Sequence, residues 1–337
     1  MSMAASDFRY GVVGCAGMGE NHADAVEDIE DATLVACADI DEGIARSFAD
    51  AYDVAWYTDP AEMAVDADLD IVSVCTPNGT HLEIVSDLAE AGVDILCEKP
   101  LEITRERVDQ LIDVCEREGI TLGGIFQRRL YGGPQFAHEV VADGQLGDLV
   151  LGEVEVKWHR DPSYYEDVGW HGTTDLDGGV LLTQALHGID LLQWTAGEIE
   201  RVAAELDTVH HDVEVPDTAV ASVEFANGGY GQITGTTAMY PEERLSLNLH
   251  GTEGSFKWHE DELDLFETKS GAEATLEPFH MGTGIAGQVR DFVAAIRDDR
   301  EPMIPPEEAR KALDITFALE KAARTDQWVD VEYGTRE

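Results

Sequence analysis

The stretch Tyr10-Gly11-Val12-Val13-Gly14-Cys15-Ala16-Gly17-Met18-Gly19 decides the fold. A strand reads from Phe8 to Val13, small residues then crowd a tight turn, and a helix is expected from about Glu20 through His22, Ala23 and Val26. Such a turn exposes backbone N–H groups at a helix N-terminus, where the helix dipole favours an anion. Small residues let a pyrophosphate approach the backbone closely. Against the fingerprint G-x-G-x-x-G, the three positions read Gly14, Ala16 and Gly19, with an additional Gly17. A second strand, Thr33 to Ala38, ends at Asp39, about 20 residues past the glycines, where this fold sets a carboxylate on the adenosine ribose. Asp39 would accept hydrogen bonds from the ribose hydroxyls and repel a 2′-phosphate. No Arg or Lys follows until Arg46, so NAD is expected in preference to NADP. Asp39 also suits a plainer role, capping a helix that starts near Asp41.

The 337 residues suffice for two domains with proper cores. No apolar run approaches the roughly 20 residues that span a bilayer. The N-terminal residues Met1 to Asp7 lack the basic and apolar regions of a signal peptide, so a cytoplasmic protein is expected. The charge balance is extreme, 22 basic residues against 69 acidic, a net −47. The acids are spread over a chain that is 44% hydrophobic, which argues for a folded protein rather than an acidic tail. This composition resembles that of proteins from salt-accumulating halophiles. It also argues against nucleic acid as a partner, because phosphate backbones require basic patches. Cys15, Cys37, Cys75, Cys97 and Cys115 form no C-x-x-C pair and read as buried, reduced thiols.

Beyond Asp39, helix and strand signals alternate: helix Asp41 to Tyr52, strand Val54 to Tyr57, and a helix opened by Asp59-Pro60. Strand Ile71 to Cys75 runs into Thr76-Pro77-Asn78-Gly79-Thr80-His81, and a helix covers about Leu82 to Ala91. Strand Asp94 to Cys97 ends in Glu98-Lys99-Pro100; Thr104 then caps a helix to Glu118, and Thr121 to Phe126 closes the series. This alternation implies an α/β Rossmann domain with a parallel sheet, whose ligands bind at the carboxyl ends of the strands. Past Phe126 the pattern changes. Leu149 to Trp158 alternates, with Val150, Val154, Val156 and Trp158 facing one way and Glu153, Glu155 and Lys157 the other. Thr218 to Phe225, Tyr230 to Thr237 and Leu245 to His250 are further strands, joined by turns such as Asn227-Gly228-Gly229. An α+β domain with a large, mostly antiparallel, meander-like open sheet is expected. Two helices, about Ile285 to Arg297 and Pro306 to Ala323, close the chain. The expected division is 1–125 and 126–337, with the C-terminal helices free to pack back on the first domain.

The glycine turn, the Cys75-Thr76-Pro77-Asn78 run, Glu98-Lys99-Pro100 and the stretch Gly178-Gly179-Val180 through His187-Gly188-Ile189-Asp190 occur in that order. Together they resemble the glucose–fructose oxidoreductase / inositol dehydrogenase / rhizopine-catabolism (Gfo/Idh/MocA) family over essentially the whole chain. The resemblance implies a metal-free, NAD-dependent oxidoreductase acting on a secondary hydroxyl. It places Gly14, Ala16, Gly17, Met18, Gly19, Asp39 and Ile40 around the cofactor. Thr76, Pro77, Asn78, His81 and Glu98 line the same side. Lys99 would lie beside the nicotinamide and the substrate hydroxyl. Independently of the resemblance, a lysine at a strand's carboxyl end, in a chain with only six lysines, suits stabilisation of a developing alkoxide.

His187 falls on an expected helix from Val180 to Ala196, with Thr183, His187 and Asp190 at i, i+4 and i+7 on one face. A near-neutral histidine can take the hydroxyl proton as hydride leaves. Many members of the family carry an aspartate where this chain has Thr183, so proton transfer falls here to His187 and Lys99. Lys157 to Trp194 looks most like the branch acting on UDP-N-acetylglucosamine-derived sugars, the nucleotide-sugar 3-dehydrogenases. Arg129, Tyr165, Trp170 and Thr183 would then contact substrate along with Lys99 and His187. The adjacent His210-His211-Asp212 lacks metal-ligand spacing and reads as a solvated loop. Two alternatives are a free-sugar or polyol dehydrogenase, inositol-like, and a non-catalytic NAD- and sugar-binding sensor. The resemblance also implies a homodimer or homotetramer through the open sheet, with the face of Val154, Val156 and Trp158 buried against a symmetry mate.

A chain of net −47 repels itself in dilute buffer, and few lysines neutralise it. The unfolding temperature is expected to rise steeply between roughly 0.1 M and 1 M KCl, as the Debye length falls from about 10 to 3 Å. A melting temperature flat across that series would show that the acidity is not an adaptation to salt.

Overall fold

Six strands, β1 (Phe8–Val13), β2 (Ala32–Ala38), β3 (Ala55–Tyr57), β4 (Ile71–Val74), β5 (Asp94–Cys97) and β6 (Leu122–Gly124), pair in parallel in the order 3-2-1-4-5-6. This comes from a computed structural model that describes residues 8–166, 168–260, 262–277 and 279–334. The strands are short and apolar because helices alternate with them along the chain, the pattern of a doubly wound sheet. The helices between them start where the local chemistry dictates. Asp41 accepts from the N–H groups of Gly43 and Ile44, and Asp59 from those of Ala61 and Glu62 with Pro60 at the first helical position. Thr104 caps the helix Arg105–Glu118 through the Arg107 N–H. The strand order reverses between β1 and β4, and the crevice at such a switch point is where these sheets bind ligands.

Two units make up the chain: residues up to Gln127 together with His280–Ala309, and Arg128–Phe279 together with the residues from Arg310 on. The first is therefore discontinuous in sequence. Its late helix, Gly284–Arg297, buries Val289, Phe292 and Val293 in the same core as Tyr10, Val12, Ala23 and Val26. A Cβ on Gly123 would sit 2.8 Å from the Phe292 ring, so glycine there makes room for the helix. The Gln288 amide adds polar fixation, accepting from the Phe126 N–H at 3.0 Å and donating to the Gly124 carbonyl. These long-range contacts leave no local signal in the sequence.

The second unit holds an eight-stranded sheet: β7 (Leu149–Lys157), β8 (Ile199–Asp207), β9 (Thr218–Phe225), β10 (Tyr230–Thr236), β11 (Ser246–Gly251), β12 (Gly254–His259), β13 (Glu262–Thr268) and β14 (Val329–Asp330). The order is 13-12-11-7-10-9-8-14. The expected meander is corrected in one respect: β7 inserts between β10 and β11 and runs parallel to β10, while every other pair is antiparallel. β8, β12, β13 and β14 escaped the sequence reading.

The expectation for the face of β7 is also corrected. Val154 and Val156 are fully buried, but within the chain, under the helix Leu186–Ala196. Gly188 of that helix lies where a Cβ would come 2.8 Å from both valines. Val150 is 54% exposed: the pairing with β11 slips between His250 and Gly251, and Val150 is the extra residue of that bulge. Trp158 lies beyond the strand end, between the guanidinium groups of Arg128 and Arg160 at 5.7 and 5.4 Å. The uncovered face is the polar one, carrying Glu153, Glu155 and Lys157 beside Gln232 and Thr234.

Among the described residues, no helix is long and apolar enough to cross a membrane. Gly188→Val would drive two methyl groups into Val154 and Val156 and should cost about 1–3 kcal/mol of stability. Chemical denaturation reads that loss directly, and an unchanged midpoint would show that the helix is not seated closely on β7.

Candidate active site

Each unit carries one part of the sequence-read site. In the first, β1 ends at Gly14, whose φ of +88° and approach to β4 both demand glycine. A Cβ there would stand 2.6 Å from the Cys75 carbonyl oxygen. Gly19, the second residue of the helix Met18–Glu27, meets the Gly14 carbonyl so closely that any side chain would collide with it. Ala16 stands exposed where a fingerprint glycine is usual, and Gly17 takes the N-cap position instead. No side chain caps this helix, and although the Gly19 N–H donates to the Ala16 carbonyl at 3.1 Å, such an uncapped start favours an anion. Asp39, at the end of β2, accepts from the Cys15 N–H and the Asp41 N–H, both at 2.9 Å. The carboxylate is thereby tied to the glycine turn and to the next helix at once. Ile40 beside it is 95% exposed. A cradle closed to side chains, an uncapped helix start and a fixed carboxylate fit a dinucleotide's pyrophosphate and ribose.

The loop after β4 lies at the same edge. Thr76 accepts from the Thr80 hydroxyl at 2.9 Å, and Asn78 is buried. His81, read from sequence as a cofactor contact, is fully buried with Nε2 and Nδ1 each 2.9 Å from the carbonyl oxygens of Thr76 and Pro100. Both ring nitrogens face protein backbone, which makes His81 a brace between this loop and the next strand end.

That next end is Glu98-Lys99-Pro100, following β5. Glu98 is 5% exposed, and its Oε2 accepts from the Lys99 N–H at 2.9 Å. Its Oε1 faces His22 Nε2 at 3.4 Å. Burial pushes this carboxyl up, but the hydrogen bond and charge of His22, the Lys99 ammonium and the Lys99 N–H together hold it below the usual carboxylate range. His22 is fully buried, and its Nδ1 lies 2.7 Å from Ser73 Oγ, which lies 2.6 Å from Tyr10 Oη. Sequence reasoning saw His22 only as a helical residue. Its one signal was a histidine three residues after the last fingerprint glycine, on the helix face turned toward the sheet.

In the second unit, the helix expected over Val180 to Ala196 begins as a π turn, Leu181–Ala185, before continuing as the α-helix Leu186–Ala196. The π turn interrupts the 3.6-residue spacing that aligned Thr183 with His187. The Thr183 hydroxyl donates to the Gly179 carbonyl at 2.9 Å, and His187 is 6% exposed. Asp190 is fully buried and takes the fork of Arg129, from Nε at 2.9 Å and Nη2 at 2.5 Å. Arg129, read from sequence as substrate-side, is 1% exposed, and the structure gives it a buried ion pair in place of an open guanidinium.

The aromatic run gathers into one cluster. Tyr164 stacks on His171 at 4.1 Å, Tyr165 meets Tyr164 edge-on and packs on His211, and Trp170 leans on His171. Gln184 joins it to the π turn, donating to Tyr164 Oη and accepting from Arg160. Tyr165 Oη pairs with Thr237 Oγ1 at 2.8 Å. Burial and the nearby Asp177 push the Tyr164 phenol up to about 12, so it stays a neutral hydrogen-bonding group. The loop of His210 and His211 is ordered by Asp217, which accepts three successive N–H groups from Val209 to His211.

Residues 8–124 match the description "Oxidoreductase family, NAD-binding Rossmann fold", and residues 135–257 match the GFO/IDH/MocA C-terminal domain. The inositol 2-dehydrogenase of Rhizobium meliloti is 28% identical over 306 residues, spanning 87% of this chain and 90% of that protein. The crystal structure of the WlbA dehydrogenase from Chromobacterium violaceum in complex with NADH and UDP-GlcNAcA superposes with a TM-score of 0.92 at 26% identity, covering 99% of this chain and 98% of that one. The WlbA dehydrogenase from Bordetella pertussis, in the same kind of complex, gives 0.90 at 25%, covering 97% and 100%. With matches to both halves in sequence order, and with the glycine cradle, Asp39 and the Glu98-Lys99-Pro100 turn built as they are, the chain belongs to the GFO/IDH/MocA family of NAD-binding oxidoreductases.

Proposed function

We propose that the protein is an NAD-dependent dehydrogenase that oxidises a secondary hydroxyl of a nucleotide sugar, with UDP-N-acetylglucosamine-type sugars and their C3 hydroxyl favoured. The observation that carries this reading is Lys99. It stands at the carboxyl end of β5, on the strand next to the β1–β4 switch point, with its N–H held by a buried carboxylate. An ammonium so placed can donate to the substrate oxygen and stabilise the alkoxide that forms as the C–H bond breaks. His187 is assigned the hydroxyl proton, since Thr183 has no basic group and Asp190 is committed to Arg129. Bound nicotinamide supplies the hydride acceptor. Asp39 supports NAD over NADP, because its carboxylate would face a 2′-phosphate.

The nucleotide-sugar reading is supported by likeness to the two WlbA structures along nearly the full chain. It is supported too by the cluster of Tyr164, Tyr165, Trp170 and His171, which offers aromatic faces and hydrogen-bonding edges of the kind a sugar requires. A free-polyol substrate is the second reading, favoured by the inositol dehydrogenase relative.

The uncovered face of the eight-stranded sheet, with Val220 and Tyr230 about half exposed among polar residues, is proposed to pair with a second copy of the chain. Light scattering in molar KCl should then return a dimer or tetramer, and a monomer would rule the pairing out.

NADH formation at 340 nm should be compared, in molar KCl, between UDP-N-acetylglucosamine-type sugars and free sugars or inositols. A higher kcat/KM on the UDP-sugars is expected, and a preference for inositol would overturn the substrate. Lys99→Ala should lower kcat by about 10²–10⁴-fold with NADH binding retained. Full turnover by that variant would remove the role given to Lys99.

A further inference from the structure

Four polar side chains cross the interior of the first unit in a line that the reaction itself does not use. Tyr10 lies on β1, Ser73 on β4, His22 on the helix after the glycine turn, and Glu98 at the end of β5. Tyr10, Ser73 and His22 have no exposed surface, and Glu98 has almost none. A buried polar chain of this kind stands only if each donor meets an acceptor. The ionised Glu98 needs a donor at His22 Nε2, 3.4 Å from its Oε1. His22 Nδ1 faces Ser73 Oγ at 2.7 Å on the other side of the ring. Ser73 Oγ in turn shares a hydrogen bond with the Tyr10 phenol at 2.6 Å. Burial holds that phenol protonated well above its ordinary range, so the line carries no charge at its Tyr10 end. The line links Tyr10 to Glu98, which at its far end accepts from the Lys99 N–H at 2.9 Å.

We propose that His22 is a positioning residue for Lys99: through Glu98 it fixes the turn that presents the ammonium. The proposal rests on the reading of Lys99 as the alkoxide-stabilising group. Without a donor at Oε1, the Glu98 carboxylate would be a buried charge held mainly by one backbone N–H and the Lys99 side chain. It would then rotate away or take up a proton, and the Lys99 turn would lose its anchor. The groups facing Glu98 are His22 from the helix, Lys99 itself, Cys75 at the end of β4 and Cys97 on β5. Burial and the Glu98 charge push both thiols up, so they stay neutral and leave His22 and Lys99 to act on it.

Two variants of His22 separate this role from simple core filling. His22→Gln keeps an N–H that reaches Glu98, whereas His22→Asn keeps a group near Ser73 and withdraws from Glu98. The chain has six lysines, so ¹⁵N-lysine labelling yields at most six amide signals, and Lys99 is identified by its loss in Lys99→Arg. The Lys99 amide shift reports protonation of Glu98, because it donates to that carboxylate. In His22→Asn the transition should move up by about one pH unit or more, while His22→Gln stays near the parent. Equal displacement in both variants, or none in either, would overturn the proposal. Should His22→Asn fail to fold, Ser73→Ala in the same titration decides: an upward movement supports the chain, and no movement overturns it. On a confirmed substrate, kcat should fall about tenfold or more in His22→Asn with NADH binding unchanged, and recover in His22→Gln. If Lys99→Ala keeps full turnover, the catalytic reading fails while the titration still shows whether His22 holds Glu98.

Discussion

The first unit depends on how closely one helix can be pressed onto one sheet. Gly14 lets β1 turn against the Cys75 carbonyl of β4, and Gly19 lets the helix Met18–Glu27 lie down on the Gly14 carbonyl. A Cβ on Gly14 would stand 2.6 Å from the Cys75 carbonyl oxygen and one on Gly19 would collide with the Gly14 carbonyl, so a side chain at either position would force these backbones apart. Seated at that depth, the helix presents an uncapped, positive end of its dipole to an anion, and its next turn carries His22 into the sheet beside Ser73 and Glu98. The glycine cradle and the Glu98-Lys99-Pro100 turn are thus joined through the two glycines. The Asp39 carboxylate is drawn into the same assembly by its hydrogen bond to Cys15.

Charge is handled differently inside and outside. The chain has 22 basic residues to set against 69 acids, and several arginines stand on carboxylates that have lost their solvent. Arg129 takes Asp190, Arg107 takes Glu102, Arg300 takes Asp291 and Arg310 takes Asp314, each acid being almost wholly buried. Removing one partner of such a pair leaves a buried charge, which costs far more than an exposed ion pair contributes. Other buried acids are held by backbone: Asp217 by three N–H groups and Asp177 by those of Gly172 and Gly179. Some surface acids meet a cation, as Glu224 meets Arg201 and Asp31 meets Arg297, and the excess is left to ions in solution.

Much of this was legible in the sequence because it is local chemistry. The parallel strands from Phe8 to Gly124, the caps at Asp59 and Thr104, and the glycine cradle each follow from residues within a few positions of one another, whereas the cap read for the second helix at Asp39 falls on Asp41. The family resemblance rests on the same short motifs, and the matches to both halves agree with it. Lys99 and Asp39 stand at strand ends because the alternation of strands and helices leaves no other place for them.

What only the tertiary structure decided are contacts between residues far apart in the chain. The helix Gly284–Arg297 returns to the first unit because Gly123 and Gln288 receive it, and no pattern within the helix announces that. β7 pairs in parallel with β10 because the sheet orders its strands by the surfaces they bury, not by their succession. Val154 and Val156 of β7 face a helix of the same chain, and Val150 is the extra residue of a bulge. Arg129 meets Asp190 across 61 positions, and His22 meets Glu98 across 76. Residue type alone shows that a guanidinium or an imidazole is available. Which carboxylate it meets is settled by the packing of backbones that bring the two together in the absence of water.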